Sequence, residues 1–184
     1  VVGGQTLLAA VVAAGTEAGA RRVVIVGPDR PGMTDGRPCG AIRFVREEPP
    51  GSGPVPALRR GLAEVDDTAV DGPWVAVLAA DLPFLRAEHL RALLAAAAGR
   101  DGAVLADDGG RPQWLAGCWR TGALRRAAAG YQGPSLHGLL APLRPVSVSL
   151  PPGPGEPPPW LDCDTEQDLR RAQELAAGLG GPAR

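Results

Sequence analysis

The run Trp74-Val75-Ala76-Val77-Leu78-Ala79-Ala80, apolar at every position and closed by Asp81-Leu82-Pro83-Phe84, constrains the fold more than any other stretch of this chain. A strand apolar on both faces belongs in a sheet covered by helices on each side. In open α/β sheets, ligands bind in the crevice outside the carboxyl ends of such strands. Asp81 stands at that end, and Pro83 turns the chain away behind it. A carboxylate so placed can hold a Mg²⁺ ion that bridges phosphates, or it can satisfy a turn or cap the next helix.

The other apolar patterns alternate between helical and extended spacing. Residues 5–14 have helical length and precede a β-branched run at 23–26 that stops at Gly27-Pro28. A short strand at 42–45 leads to an amphipathic helix over 55–65, with Pro56 tolerated because it falls in the first turn. After the strand at 74–80, the leucines of residues 85–98 form one helical face. Strands are expected at 103–106 and 114–119, helices at 123–129 and 135–140, and a strand at 146–150. The proline-rich segment 151–159 is a loop within the domain rather than a linker. This alternation calls for one α/β domain over 1–184, a Rossmann-like three-layer sandwich around a mostly parallel central sheet.

Composition narrows the class of ligand. With a net charge of -1 and arginines scattered along the chain, there is no electrostatic footprint for nucleic acid, so a small molecule is expected. Cys39, Cys118 and Cys163 are far apart and lack the spacing of a zinc site or a disulfide framework. Together with the lack of a membrane-length apolar span, they suggest a soluble cytoplasmic protein with no membrane partner. Neither Lys nor Asn occurs, and every basic side chain apart from the two histidines is Arg.

Four constellations carry the chemistry. The segment Glu47-Glu48-Pro49-Pro50-Gly51-Ser52-Gly53-Pro54 precedes a helix. Its glycines allow close backbone approach, and its acids can accept the paired N–H donors of a guanine edge. Asp81 is the second. In the third, Arg111-Pro112-Gln113-Trp114-Leu115-Ala116-Gly117-Cys118-Trp119-Arg120, Gln113 is the ligand-facing candidate and at least one tryptophan is expected in the core. In the fourth, Thr165 and Asp168 form a capping box, whereas Asp162 and Asp164 alternate around Cys163 and project to one side. Two like charges held side by side are more comfortable near a cation or a donor-rich ligand.

In order and spacing, Asp81-Leu82-Pro83, the Gly53-Pro54 loop, the Arg111-Pro112-Gln113 turn and Asp162-x-Asp164-Thr165-x-x-Asp168-Leu169 resemble the molybdenum cofactor nucleotidyltransferases, most of all the guanylyltransferase that attaches GMP to molybdopterin. The resemblance runs from Val1 to about Ala176. It implies a nucleotide-diphospho-sugar transferase-like fold, GTP and Mg²⁺ as ligands, and transfer of GMP to molybdopterin with release of pyrophosphate. By the same resemblance, Asp81 is the catalytic Mg²⁺ ligand. Glu47, Glu48, Gly53 and Pro54 bind the nucleotide, and Gln113, Asp162 and Asp164 face the acceptor. A molybdoenzyme or a cofactor-delivery protein is the implied partner.

The sequence departs from that family in two places. Asp162 and Asp164 fill positions that are commonly Asn in the guanylyltransferases, and Asp-x-Asp is closer to the related cytidylyltransferases. The family also opens with a strand and a glycine-rich loop carrying Arg and a catalytic Lys, whereas this chain begins at the following segment, Val2-Gly3-Gly4-Gln5-Thr6-Leu7-Leu8. The first strand and signature loop are therefore expected upstream of residue 1. Alternatives are CMP transfer to molybdopterin, guanylylation of a phospholactate-like acid, and a non-catalytic nucleotide-binding or delivery module. No Ser/His/Asp or Cys/His arrangement is needed for such a transfer, and His89 and His137 read as helix-surface residues.

Overall fold

The computed structural model describes residues 1–30, 42–65 and 74–179; Cys39 lies outside them. Helix α1 (Leu7–Glu17) starts where the Thr6 hydroxyl accepts the Ala9 N–H at 3.2 Å, two residues later than the apolar pattern suggests. It leads to strand β1 (Val23–Val26), strand β2 (Ile42–Val45) and helix α2 (Pro54–Leu62). Strand β3 (Trp74–Leu78), helix α3 (Ala87–Ala96), strand β4 (Gly102–Ala106) and strand β5 (Pro112–Arg120) follow. The chain closes with helices α4 (Thr121–Gly130) and α5 (Leu136–Leu140), strand β6 (Val146–Ser149) and helix α6 (Glu166–Leu179).

β1 and β2 pair in parallel, and the second sheet has the order β3-β5-β4-β6. β5 runs antiparallel to both β3 and β4, while β4 and β6 are parallel, so β5 alone opposes the direction of its sheet. Among the described residues β3 pairs along one edge only, with β5. Its residues are half-buried or, at Ala76, exposed, whereas every residue of β4 is buried.

Helices cover both faces, as the alternation requires. On one side Val11 and Ala14 of α1 meet Leu90 and Leu93 of α3 over Leu105 and Cys118. On the other, Val55 and Leu62 of α2, Leu124 of α4, and Leu139 and Leu140 of α5 close over Val104 and Trp119. Trp119 is fully buried, which places the expected core tryptophan. Arg59 clasps α2 to the end of α4, its Nε donating to Ala128 O at 2.9 Å and its Nη2 to Tyr131 O. His89 does more than lie on the surface: its Nδ1 accepts the Arg86 N–H at 3.0 Å and caps α3. No helix among the described residues is long and apolar enough to cross a membrane.

Candidate active site

β3 ends at Leu78, and Ala79 adds one more rung, its N–H donating to Leu115 O at 2.7 Å. Ala80 and Asp81 then turn out of the ladder. The turn is anchored by Leu82, Phe84 and Leu85, each no more than 7% exposed, which leaves Asp81 little freedom to swing into solvent. Its Oδ1 is buried with no hydrogen-bond partner. Burial pushes the Asp81 carboxyl above the ordinary carboxylate range; its own backbone amide opposes this, and Asp164 and then Asp162 add like-charge repulsion.

Asp162 and Asp164 reach this neighbourhood because the residues between and before them point inward. Leu161 and Cys163 pack against the cluster of Val2, Phe84 and Ala172, which turns both acids outward to exposed positions. The capping box then starts α6: the Asp168 N–H donates to Thr165 Oγ1 at 3.2 Å and the Thr165 N–H to Asp168 Oδ2 at 2.9 Å. Upstream, the proline-rich loop is held to α3 by Arg86 and Glu156 at 3.3 Å. Sequence reasoning divided the acids, giving Asp81 to a metal and Asp162 and Asp164 to an acceptor. The fold brings all three into one electrostatic neighbourhood.

That neighbourhood suits a hard divalent cation. A buried carboxylate oxygen with no partner, within electrostatic reach of two exposed carboxylates, suits Mg²⁺, which usually takes one or two protein carboxylates and the rest of its ligands from water or phosphate. Among the described residues no three His, Cys, Asp or Glu side chains are gathered into a ready-made cage. Ligand oxygens would therefore have to complete the coordination shell.

The Glu47–Pro54 segment lies at the start of α2. Glu47 Oε1 accepts the Gly51 N–H at 2.8 Å, which lowers the Glu47 pKa and folds the loop on itself. Glu48 is exposed. Gly53 precedes the helix with φ of 102°, a conformation that favours glycine. Pro54 and Pro56 carry no N–H, so the first turn has fewer amide donors than an ordinary helix N-terminus. That suits base or ribose contact better than a cradle for phosphate. Pro54 lines the same cavity as Ala79, Ala80 and Leu115, which brings the start of α2 to the end of β3 that carries Asp81.

Gln113 sits where β4 and β5 meet their connecting turn, its Nε2 donating to Asp107 Oδ2 at 3.1 Å and to Arg111 O at 3.3 Å. Its amide is thus oriented by the turn. Next to it the β4–β5 register shifts: Val104 pairs with Gly117, but Leu105 pairs with Gln113. The residues between leave β4, and Leu115 and Ala116 join the end of β3 instead. Such irregularities re-aim side chains beside sites. Here the bulge leaves Leu115 38% exposed at the mouth of the cleft, an apolar contact that periodicity alone would have buried. Trp114 is half-buried and meets the edge of the His137 ring at 5.4 Å.

Comparison with known proteins agrees with this arrangement. Residues 1–146 match the MobA-like NTP transferase domain. The chain is 37% identical over 178 residues to the phosphoenolpyruvate guanylyltransferase of Streptomyces scabiei, covering 91% of this chain and 75% of that one. Among solved structures it resembles the 2-C-methyl-D-erythritol 4-phosphate cytidylyltransferase of Thermus thermophilus, with a TM-score of 0.66 and 24% identity over 96% of this chain and 91% of that one. It also resembles the molybdopterin-guanine dinucleotide biosynthesis protein A of Archaeoglobus fulgidus, with a TM-score of 0.51 and 21% identity over 74% of this chain and 69% of that one. At those identities the structural likenesses establish the fold, which is that of the nucleotide-diphospho-sugar transferase-like enzymes. The matched region spans every element up to the start of β6, including Asp81, and on this ground the chain belongs to the MobA-like NTP transferase family, as a nucleotidyltransferase.

Proposed function

We propose that this protein is a guanylyltransferase that moves GMP from GTP onto a small phosphorylated carboxylic acid of the phosphoenolpyruvate or phospholactate type, using Mg²⁺. The observation that carries the reading is the buried, partnerless Oδ1 of Asp81, within electrostatic reach of Asp164 and Asp162. An acceptor bearing both a phosphate and a carboxylate is repelled by three acids unless divalent cations stand between them. The kinship with a phosphoenolpyruvate guanylyltransferase supports the same acceptor class.

In this reading Asp81 would hold Mg²⁺, with Asp162 and Asp164 adding negative charge to its surroundings, and the ion would offset the negative charge on the phosphates of both substrates. The protein's own part is placement. The fixed turn at Asp81 holds one anionic anchor, and the Asp162–Asp164 segment, pinned by Cys163 and the Thr165 cap, holds the others. The Glu47–Pro54 loop contacts the base and ribose. An acceptor phosphate oxygen attacks the α-phosphorus of GTP, the bond to the β-phosphate oxygen breaks, and pyrophosphate leaves. No protein nucleophile is required.

The molybdopterin acceptor shares this chemistry and is favoured by family kinship. The test is pyrophosphate release by the full-length gene product, with GTP or CTP, offered phosphoenolpyruvate, phospholactate or molybdopterin. Turnover with GTP and a phosphorylated acid supports the proposal. Turnover confined to molybdopterin or to CTP contradicts it.

A further inference from the structure

The turn between β4 and β5 is built around Asp107. Its Oδ1 accepts the Gly109 N–H at 3.0 Å and the Arg111 N–H at 2.9 Å, and its backbone N–H donates to Arg111 O at 3.0 Å. Those contacts shape the turn and use one carboxylate oxygen. The other, Oδ2, accepts Gln113 Nε2 at 3.1 Å, and Arg111 O accepts the same nitrogen at 3.3 Å. A carboxylate oxygen and a peptide oxygen have no proton to give, so only the NH₂ side of the Gln113 amide fits against them. Both of its protons are then committed. Oε1 is the hydrogen-bonding atom left over, and among the described residues nothing donates to it.

The fold puts this amide at the ligand end of the sheet. β5 runs antiparallel to β3 and β4, so its first residues lie at the carboxyl ends of both. Leu115 O receives the Ala79 N–H at 2.7 Å; from that rung Asp81 is two residues onward and Gln113 two residues back. We infer that Asp107 is a positioning residue for nucleotide recognition: it locks Gln113 so that the side chain offers only an acceptor oxygen, which takes a hydroxyl or N–H proton of GTP. This rests on the guanylyltransferase reading above, in which GTP alone supplies such a group. Its ribose carries hydroxyls and its base carries N–H donors, whereas phosphoenolpyruvate and phospholactate present ionised oxygens, which an acceptor oxygen does not bind. The acceptor-facing role expected of Gln113 from the sequence thereby passes to the nucleotide.

Reversing the pair tests this. In Asp107→Asn the remaining oxygen still serves Gly109 and Arg111, but an NH₂ group now faces Gln113 Nε2, and two donors cannot pair. The Gln113 amide turns over and offers N–H outward, so GTP should bind about 10-fold more weakly by calorimetric titration, the worth of one hydrogen bond. Adding Gln113→Glu gives that NH₂ group an acceptor and leaves a second oxygen facing outward, at the parent's net charge. The double variant should recover to within about 3-fold of the parent. Among 2′-deoxyGTP, 3′-deoxyGTP and inosine triphosphate, the analogue lacking the donor should bind the parent weakly and lose nothing further in Asp107→Asn, which tells a ribose hydroxyl from the base amino group. If the variants fold poorly, the parent still reports: the Gln113 side-chain amide protons should exchange about 10-fold more slowly than those of exposed Gln167 by NMR. Unchanged GTP affinity in Asp107→Asn, a double variant no tighter than Asp107→Asn, or equal amide exchange would overturn the inference. Failure of the guanylyltransferase reading looks different: the parent then releases no pyrophosphate from GTP with either acid, whatever its affinity for GTP.

Discussion

Burial raises the pKa of the Asp81 carboxyl, and Asp164 raises it further through space although the two residues are far apart in the chain. A charge kept in a poor environment is a cost to the fold that a bound cation removes. Because Asp81 has a higher pKa folded than unfolded, its contribution is neutral at acid pH. Stability then falls as pH rises from the unfolded value through the raised folded value. Asp81→Asn should therefore melt at a higher temperature than the parent at neutral pH without Mg²⁺, while losing about 100-fold or more in transfer rate. Calorimetry and a pyrophosphate assay check the two halves; an unstabilised but fully active variant would contradict both.

Asp162→Asn and Asp164→Asn should weaken apparent Mg²⁺ affinity by about 10- to 100-fold, the loss typical of removing a group that supports a metal ligand. Asp164→Asn should also bring the Asp81 pKa back toward the ordinary range, since Asp164 is the larger of its two acidic perturbers. Carboxyl chemical shifts followed through a pH titration report that change directly.

Glu47→Ala should raise KM for GTP with kcat little changed, because the side chain orders the nucleotide loop by accepting the Gly51 N–H rather than touching the reacting atoms. Its pKa is lowered in the fold, so the loop contact is fully present above the ordinary Glu value and is lost as pH falls through the lowered folded value. A pH profile of KM for the parent protein, rising at the acid end, checks the sign.

Gly117→Ala should destabilise the domain by about 1–3 kcal/mol. A Cβ there would meet Val104 Cγ1 at 2.8 Å and the Ala103 carbonyl oxygen at 3.0 Å, and the backbone of a fully buried strand cannot retreat. Urea unfolding measures the loss, and a change below a few tenths of a kcal/mol would mean that the ladder is looser than the structure shows.

Cys118 should resist alkylation in the native protein at mildly alkaline pH and react once the chain is unfolded. Burial against α3 pushes its thiol up to about 12, so the thiolate is scarce. Mass spectrometry after iodoacetamide treatment reads this site by site.

The helices and strands were legible because their periods are clean: Leu90 and Leu93 recur with helical spacing, and the Val23–Val26 run is β-branched throughout. Ends were less so. α1 and α3 begin late because Thr6 and the Arg86 backbone, bonded to His89, set their caps, and apolar spacing carries no information about caps. Asp81 was legible from the strand that precedes it, and Asp162 and Asp164 from their alternation. Their mutual proximity was not, since it depends on Cys163 and Leu161 docking beside Phe84. The edge pairing of β3 was not legible either. An all-apolar strand implies two covered faces but says nothing about whether both of its edges are paired.

The most direct test of the account is a calorimetric titration of the full-length protein with phosphoenolpyruvate, with and without Mg²⁺, in the parent and in Asp81→Asn. The account predicts binding that requires Mg²⁺ and is lost in Asp81→Asn. Binding of phosphoenolpyruvate that persists in the presence of a chelator, or that is unchanged in Asp81→Asn, would contradict the claim that the three acids meet their substrate through a metal ion.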